Sequence, residues 1–117
     1  MLILPIKKQW FDMILSGEKK EEYREIKAYW TTRFRSAGLI MENGIPSAWA
    51  KPILFKNGYS KNAPTFIANC QLSKGYGRSE WGAEPDKEYY ILHMCNIRHT
   101  EGWIKNIHQI KNADKGE

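Results

Sequence analysis

The stretch that most limits the fold of this chain is Gly17-Glu18-Lys19-Lys20-Glu21-Glu22-Tyr23-Arg24, with six charged side chains in eight residues. Glu and Lys favour helix on local propensity. A helix here would set Glu18 against Glu22, and Glu21 against Glu25, one turn apart, which is mildly unfavourable. As a strand, its two faces would be Lys19, Glu21, Tyr23, Glu25 and Lys20, Glu22, Arg24, Ile26. Neither face is apolar, so neither builds an ordinary core. Two readings follow: a solvated charged helix, or a polar strand beside a wet cleft.

The flanking pattern frames that choice. Leu2–Ile6 is an apolar run that reads as a strand, and Pro5, which has no N–H to give, confines it to an edge or a strand end. Trp10, Phe11, Ile14 and Leu15 form one stripe of a helix over residues 8–16, with Asp12 on its outer face. Gly17 is then free to take the left-handed conformation of a helix C-cap. Residues 28–36 read as a second helix stopped by Gly38. Residues 39–51 are punctuated by Gly44 and Pro46 and read as a loop, with one turn of helix around Ala48 and Trp49.

Further along, residues 52–56 predict a strand ended by the turn signal Asn57-Gly58. Residues 65–72 predict another, with Phe66, Ala68 and Cys70 on one side, and the glycine-rich residues 74–82 predict a loop. Residues 88–98 carry apolar side chains on both faces, as a central strand does, and Thr100 caps a final helix bearing Trp103, Ile104, Ile107 and Ile110. Residues 113–117 read as a frayed tail. The sum is four to six strands and two or three short helices without a βαβ rhythm. That predicts one α+β domain over residues 1–112, a small mixed or antiparallel barrel with helices over its ends.

Composition narrows the function classes. A chain of 117 residues that is 42% hydrophobic and 13% aromatic can bury a largely aromatic core without disulfides, and it has only two cysteines. Lysines follow the first apolar run rather than precede it, which fits a strand and not a secretory leader. The apolar runs fall far short of the ~20 residues of a membrane span, so the expectation is a cytoplasmic protein with no membrane partner. The net charge of +5 is compatible with a polyanionic partner such as RNA or DNA.

Within the opening stretch, Gly17, Lys19, Glu22 and Arg24 fit the pattern glycine, any residue, lysine, two residues, glutamate, any residue, arginine. With that motif the chain resembles the ASCH domain family, a branch of the PUA-like superfamily. Ile6-Lys7-Lys8-Gln9-Trp10 and the helix up to Leu15 are similar to the family's first strand and helix. The strong part of the resemblance covers about the first quarter of the chain. It implies a PUA-like β-barrel of about five strands, with the motif on the second strand and lining a cleft, and it favours the strand reading of the charged run. It also implies an RNA or nucleotide partner.

The candidate site residues follow. Arg24 offers a planar fork for a phosphate or a base edge. Lys19 offers a point charge or, once desolvated, a base or nucleophile. Glu22 can move protons or accept from an amino group. Lys7, Lys8 and Arg78 are candidate backbone contacts, as are Arg33, Arg35, Lys56, Lys61 and Lys74; Tyr76 and Trp81 are candidates to stack on an unpaired base. Packing beneath the loop is the alternative for both aromatics, and a buried ion-pair network that only fixes the strand is the alternative for Lys19, Glu22 and Arg24.

Some members of the family are hydrolases, either ribonucleases or amidohydrolases of acetylcytidine. The amidohydrolase resemblance implies a lysine and a threonine in the motif plus a downstream glutamate. Lys19 matches the lysine, Glu22 stands where the threonine would, and Glu80, Glu84 and Glu88 are unmatched candidates for the glutamate. The Glu22 form implies RNA or nucleotide binding, with Lys19 and Glu22 as the reactive pair should the chain prove catalytic. No cofactor and no metal are expected: His93 and Cys95 lie two apart on one strand and read as a buried histidine and a core thiol.

Overall fold

The computed structural model describes residues 1–100. The predicted terminal helix carrying Trp103 to Ile110 and the tail lie outside them. The elements are β1 (Leu2–Ile6), α1 (Lys8–Leu15), β2 (Glu21–Glu25), α2 (Ala28–Ser36), β3 (Lys51–Asn57), β4 (Thr65–Tyr76), a 3-10 turn (Ser79–Trp81) and β5 (Glu88–His99). The strands form one five-stranded mixed sheet in the order β1-β3-β4-β5-β2. Among these described strands, only the β1–β3 pair is parallel. The sheet curls into a half-barrel with α1 and α2 against it, so the chain is an α+β fold. Pro5 sits on edge strand β1, where its missing N–H costs nothing in the ladder.

The core is built from alternate residues of β4 (Phe66, Ala68, Cys70, Leu72), from Leu4, Ile53 and Phe55, and from Phe11, Ile14 and Phe34 of the helices. It is strongly aromatic: Phe66 stacks on Phe55 at 4.9 Å between ring centres and tilts against Phe11 at 5.0 Å. α1 stops where Gly17 takes φ 85°, and the chain doubles back so that the Lys19 N–H reaches the Met13 carbonyl at 3.0 Å. That turn aims Lys19 inward. α2 ends in a Schellman motif: Gly38 N–H donates to Arg35 and Leu39 N–H to Phe34, with Phe34 and Leu39 both fully buried.

The charged run is a strand over Glu21–Glu25, paired antiparallel with β5. Three expectations need correction. First, β4 continues to Tyr76, because Lys74, Gly75 and Tyr76 stay in register with Tyr90, Tyr89 and Glu88, so the glycine-rich loop is shorter than predicted. Second, residues 39–50 hold no turn of helix. An Ile40–Pro46 bridge shapes them, and Ser47 Oγ accepts from the Trp49 N–H. Third, His93 and Cys95 are exposed rather than buried. Among the described residues, the outer face of β5 is covered near Tyr89 and Ile91, by Tyr23, Trp81 and Ala83, and that cover stops before His93.

Candidate functional site

Among the described residues β1 and β2 are the two edges of the sheet, and the half-barrel is open between them. A cleft of about 730 Å³ occupies that side. Its walls come from β1 (Ile3, Pro5, Ile6), the following Lys7, Trp10 of α1, Glu22, Tyr23 and Arg24 of β2, and Tyr29, Trp30 and Arg33 of α2. Tyr59 after β3, Trp81, Gly82 and Tyr89 complete it. Much of this surface is aromatic, and two of its rings pair with a cation that lines the cleft beside them: Arg33 sits 4.2 Å from the Tyr29 ring centre and Arg24 5.0 Å from that of Trp30.

Lys19, Glu22 and Arg24 form one linked set at the base of the cleft. Lys19 Nζ lies 3.4 Å from Glu22 Oε1, and Arg24 Nη1 lies 3.6 Å from the same oxygen. The Lys19 ammonium also donates to the Trp81 carbonyl and rests on the faces of Trp10 (4.5 Å) and Tyr23 (5.0 Å). Arg24 donates to the Tyr23 carbonyl at 2.7 Å and, across the open side of the sheet, to the Pro5 carbonyl at 3.4 Å. Burial lowers the pKa of Lys19, with the Glu22 carboxylate pulling the other way, and burial lowers that of Arg24 as well.

A second layer holds this set in place. The Tyr23 hydroxyl accepts from the Arg78 backbone N–H at 2.9 Å and donates to Glu21 Oε1 at 2.8 Å, and burial raises its pKa. The loop after β4 therefore hangs from Tyr23 and delivers the Trp81 carbonyl to Lys19. Gly77 permits this approach, since a Cβ there would fall 2.6 Å from the Tyr23 ring. Gly82 does the same under Trp10, where its φ of 101° and a 2.9 Å approach both exclude a side chain.

The predicted site residues divide. Lys7, Glu22, Arg24 and Trp81 line the cleft. Lys19 does not: it is 0% exposed and lies behind Glu22, so its charge acts on the carboxylate and not on the cleft surface. Lys8 pairs with Asp12 on the outer face of α1. Tyr76 is 69% exposed, and Arg78 stacks outward on Trp81; neither lines the cleft. Trp81 is mostly packed, against Tyr23, Ala83 and Tyr89. Glu80, Glu84 and Glu88 are all exposed outside the cleft. Trp10, which the sequence places on the apolar stripe of α1, Tyr29, Trp30 and Tyr59 line the cleft without having been candidates. Tyr29 and Arg33, four apart on α2, were a readable pair; Tyr59 carried no local signal.

Among the described residues, no group of three or more His, Cys, Asp or Glu side chains is placed to hold a metal ion, and no helix is long and apolar enough to cross a membrane.

No protein-family model matches the chain, and no curated protein or solved structure matches it.

Proposed function

We propose that the protein is an ASCH-type, PUA-like domain that binds single-stranded RNA or a nucleotide in the cleft between β1 and β2. The observation that carries this reading is the pairing of aromatic faces with cations along the cleft: Tyr29 with Arg33, Trp30 with Arg24, and Lys7 at the same surface. Rings accept a stacked base and the cations neutralise its phosphates, the combination by which single strands are held without a duplex. Tyr29 and Tyr59, at 54% and 87% exposure, are the rings open to a ligand. Lys19 serves this reading indirectly, by balancing the charge of Glu22.

The test is a fluorescence titration with short RNA oligonucleotides at several salt concentrations. Three cleft cations, Lys7, Arg24 and Arg33, set an expected slope of log affinity against log salt of about −2. The double variant Tyr29→Ala with Arg33→Ala is expected to weaken binding at least tenfold, and no binding at low salt would refute the reading. A hydrolase using Lys19 and Glu22 on RNA or a modified nucleoside is the second reading. The lowered pKa of Lys19 favours it and the enclosure of Lys19 opposes it. Turnover of a nucleoside panel that Lys19→Ala abolishes would decide in its favour.

A further inference from the structure

Glu22 holds one oxygen that the described residues leave without a partner. Its Oε1 is fully engaged: it accepts the Tyr23 N–H at 3.1 Å and faces Lys19 and Arg24. Its Oε2 has under 1 Å² of accessible surface and makes no hydrogen bond among the described residues, on a side chain 6% exposed that lines the cleft, so a ligand reaches it once the neighbouring cleft side chains move aside. A buried carboxylate oxygen without a donor is costly, and nothing in β2 requires it, because the ion pairs use the other oxygen.

Resting on the nucleic-acid reading above, we propose that Glu22 Oε2 accepts the exocyclic amino group of an unpaired base, so that the cleft selects amino-bearing bases over their keto counterparts. The charge balance narrows the donor first. Lys19 and Arg24 already balance the Glu22 carboxylate, which disfavours a further metal ion or ammonium group and favours a neutral N–H carried on an anion. Geometry narrows it further. The N1–H and N2–H of guanine lie side by side and suit a carboxylate with both oxygens free, whereas only Oε2 is free here. The N3–H of uracil is flanked by two carbonyls, and docking it would press an oxygen against the carboxylate. The amino groups of cytosine and adenine present a hydrogen to a single acceptor, the pairing that Glu and Asp make with cytosine. The aromatic walls suit the planar ring that such a group extends from.

The experiment is a tryptophan-fluorescence titration of the full chain with CMP against UMP and with AMP against IMP, pairs that differ at the amino position. We expect CMP over UMP, and AMP over IMP, by about tenfold or more. Equal affinity within both pairs overturns the inference while leaving the binding reading intact; absence of binding by all four overturns both. With dCMP and dUMP added to the titration, a preference that follows ribose over deoxyribose and ignores the base assigns Oε2 to a sugar hydroxyl and likewise overturns it. The variant Glu22→Gln supplies a sharper readout. The Tyr23 N–H holds the amide oxygen in the Oε1 position, so the amide nitrogen replaces Oε2 and donates. Its preference is expected to reverse, UMP over CMP, in protein shown by circular dichroism to be folded. A folded Glu22→Gln protein that still prefers CMP refutes the assignment, and if the variant does not fold, the wild-type pairs decide.

Discussion

Replacing Lys19 by Met tests the buried ion-pair set most directly. Met keeps most of the aliphatic volume between Trp10 and Tyr23, so little packing is lost. What disappears is the donor to the Trp81 carbonyl, the counter-charge 3.4 Å from Glu22 and the cation on two aromatic faces. Breaking one partner of a buried pair costs about 3–5 kcal/mol, because the other charge stays buried without compensation. A domain of this size holds about 6–15 kcal/mol in total. With a urea slope of about 2 kcal/mol/M, the unfolding midpoint should fall by about 2 M, read by tryptophan fluorescence.

The double variant Lys19→Met with Glu22→Gln removes both charges and should recover at least 1 kcal/mol of the summed single losses. The sign of the pH dependence supplies a further check. Because the pKa of Lys19 is lowered on folding, the unfolded chain binds the extra proton between that lowered value and about 10.4. Wild type should therefore gain stability relative to Lys19→Met as pH rises through that window. A Lys19→Met loss below about 0.5 kcal/mol, or strict additivity with Glu22→Gln, would refute the buried-pair reasoning.

Two further changes probe the surroundings. Gly77→Ala drives a methyl group to within 2.6 Å of the Tyr23 ring and should cost about 1–3 kcal/mol by thermal unfolding. Gly75→Ala meets only Ile91 at 3.5 Å and should be tolerated. A thiol reagent should label exposed Cys95 promptly and Cys70 only on unfolding. Burial pushes the Cys70 thiol up from 9.0 to about 12, so its contribution to stability is present below about pH 9 and lost as pH rises toward about 12. Urea midpoints at pH 8 and pH 10 should show a smaller alkaline loss in Cys70→Ala than in wild type.

Much of the fold could be read from the chain because its signals are local. The apolar stripe of α1, the glycines that end both helices, the proline that marks an edge and the alternation of β4 each have a neighbourhood of a few residues. The errors arise where a distant partner decides. Lys74-Gly75-Tyr76 reads as loop by composition, yet the ladder with β5 carries it as strand. The alternation of β5 shows which residues share a face but not where the cover over that face ends, which is why His93 and Cys95 were misplaced. At the site, Glu22 and Arg24 stood out through the motif, and Trp81 through its loop. Tyr59 and Trp30 could not, since they join the cleft only after β3 and α2 are in place. The inward aim of Lys19 depends on the turn at Gly17 and on a carbonyl 62 residues later.

The open side of the sheet has a consequence for assembly. The two strands that wall the cleft are neighbours in the chain but occupy opposite ends of the strand order. A peptide of residues 1–36 contains Lys7, Trp10, Glu22, Arg24, Trp30 and Arg33, yet it lacks every strand that separates the walls. β1 needs β3 beside it, and β2 needs β5. Assembly of the two cleft walls should thus be among the last steps of refolding, after the long-range pairing of β3, β4 and β5. The N-terminal third carries most of the cleft-lining groups, and the C-terminal strands set the distance between them.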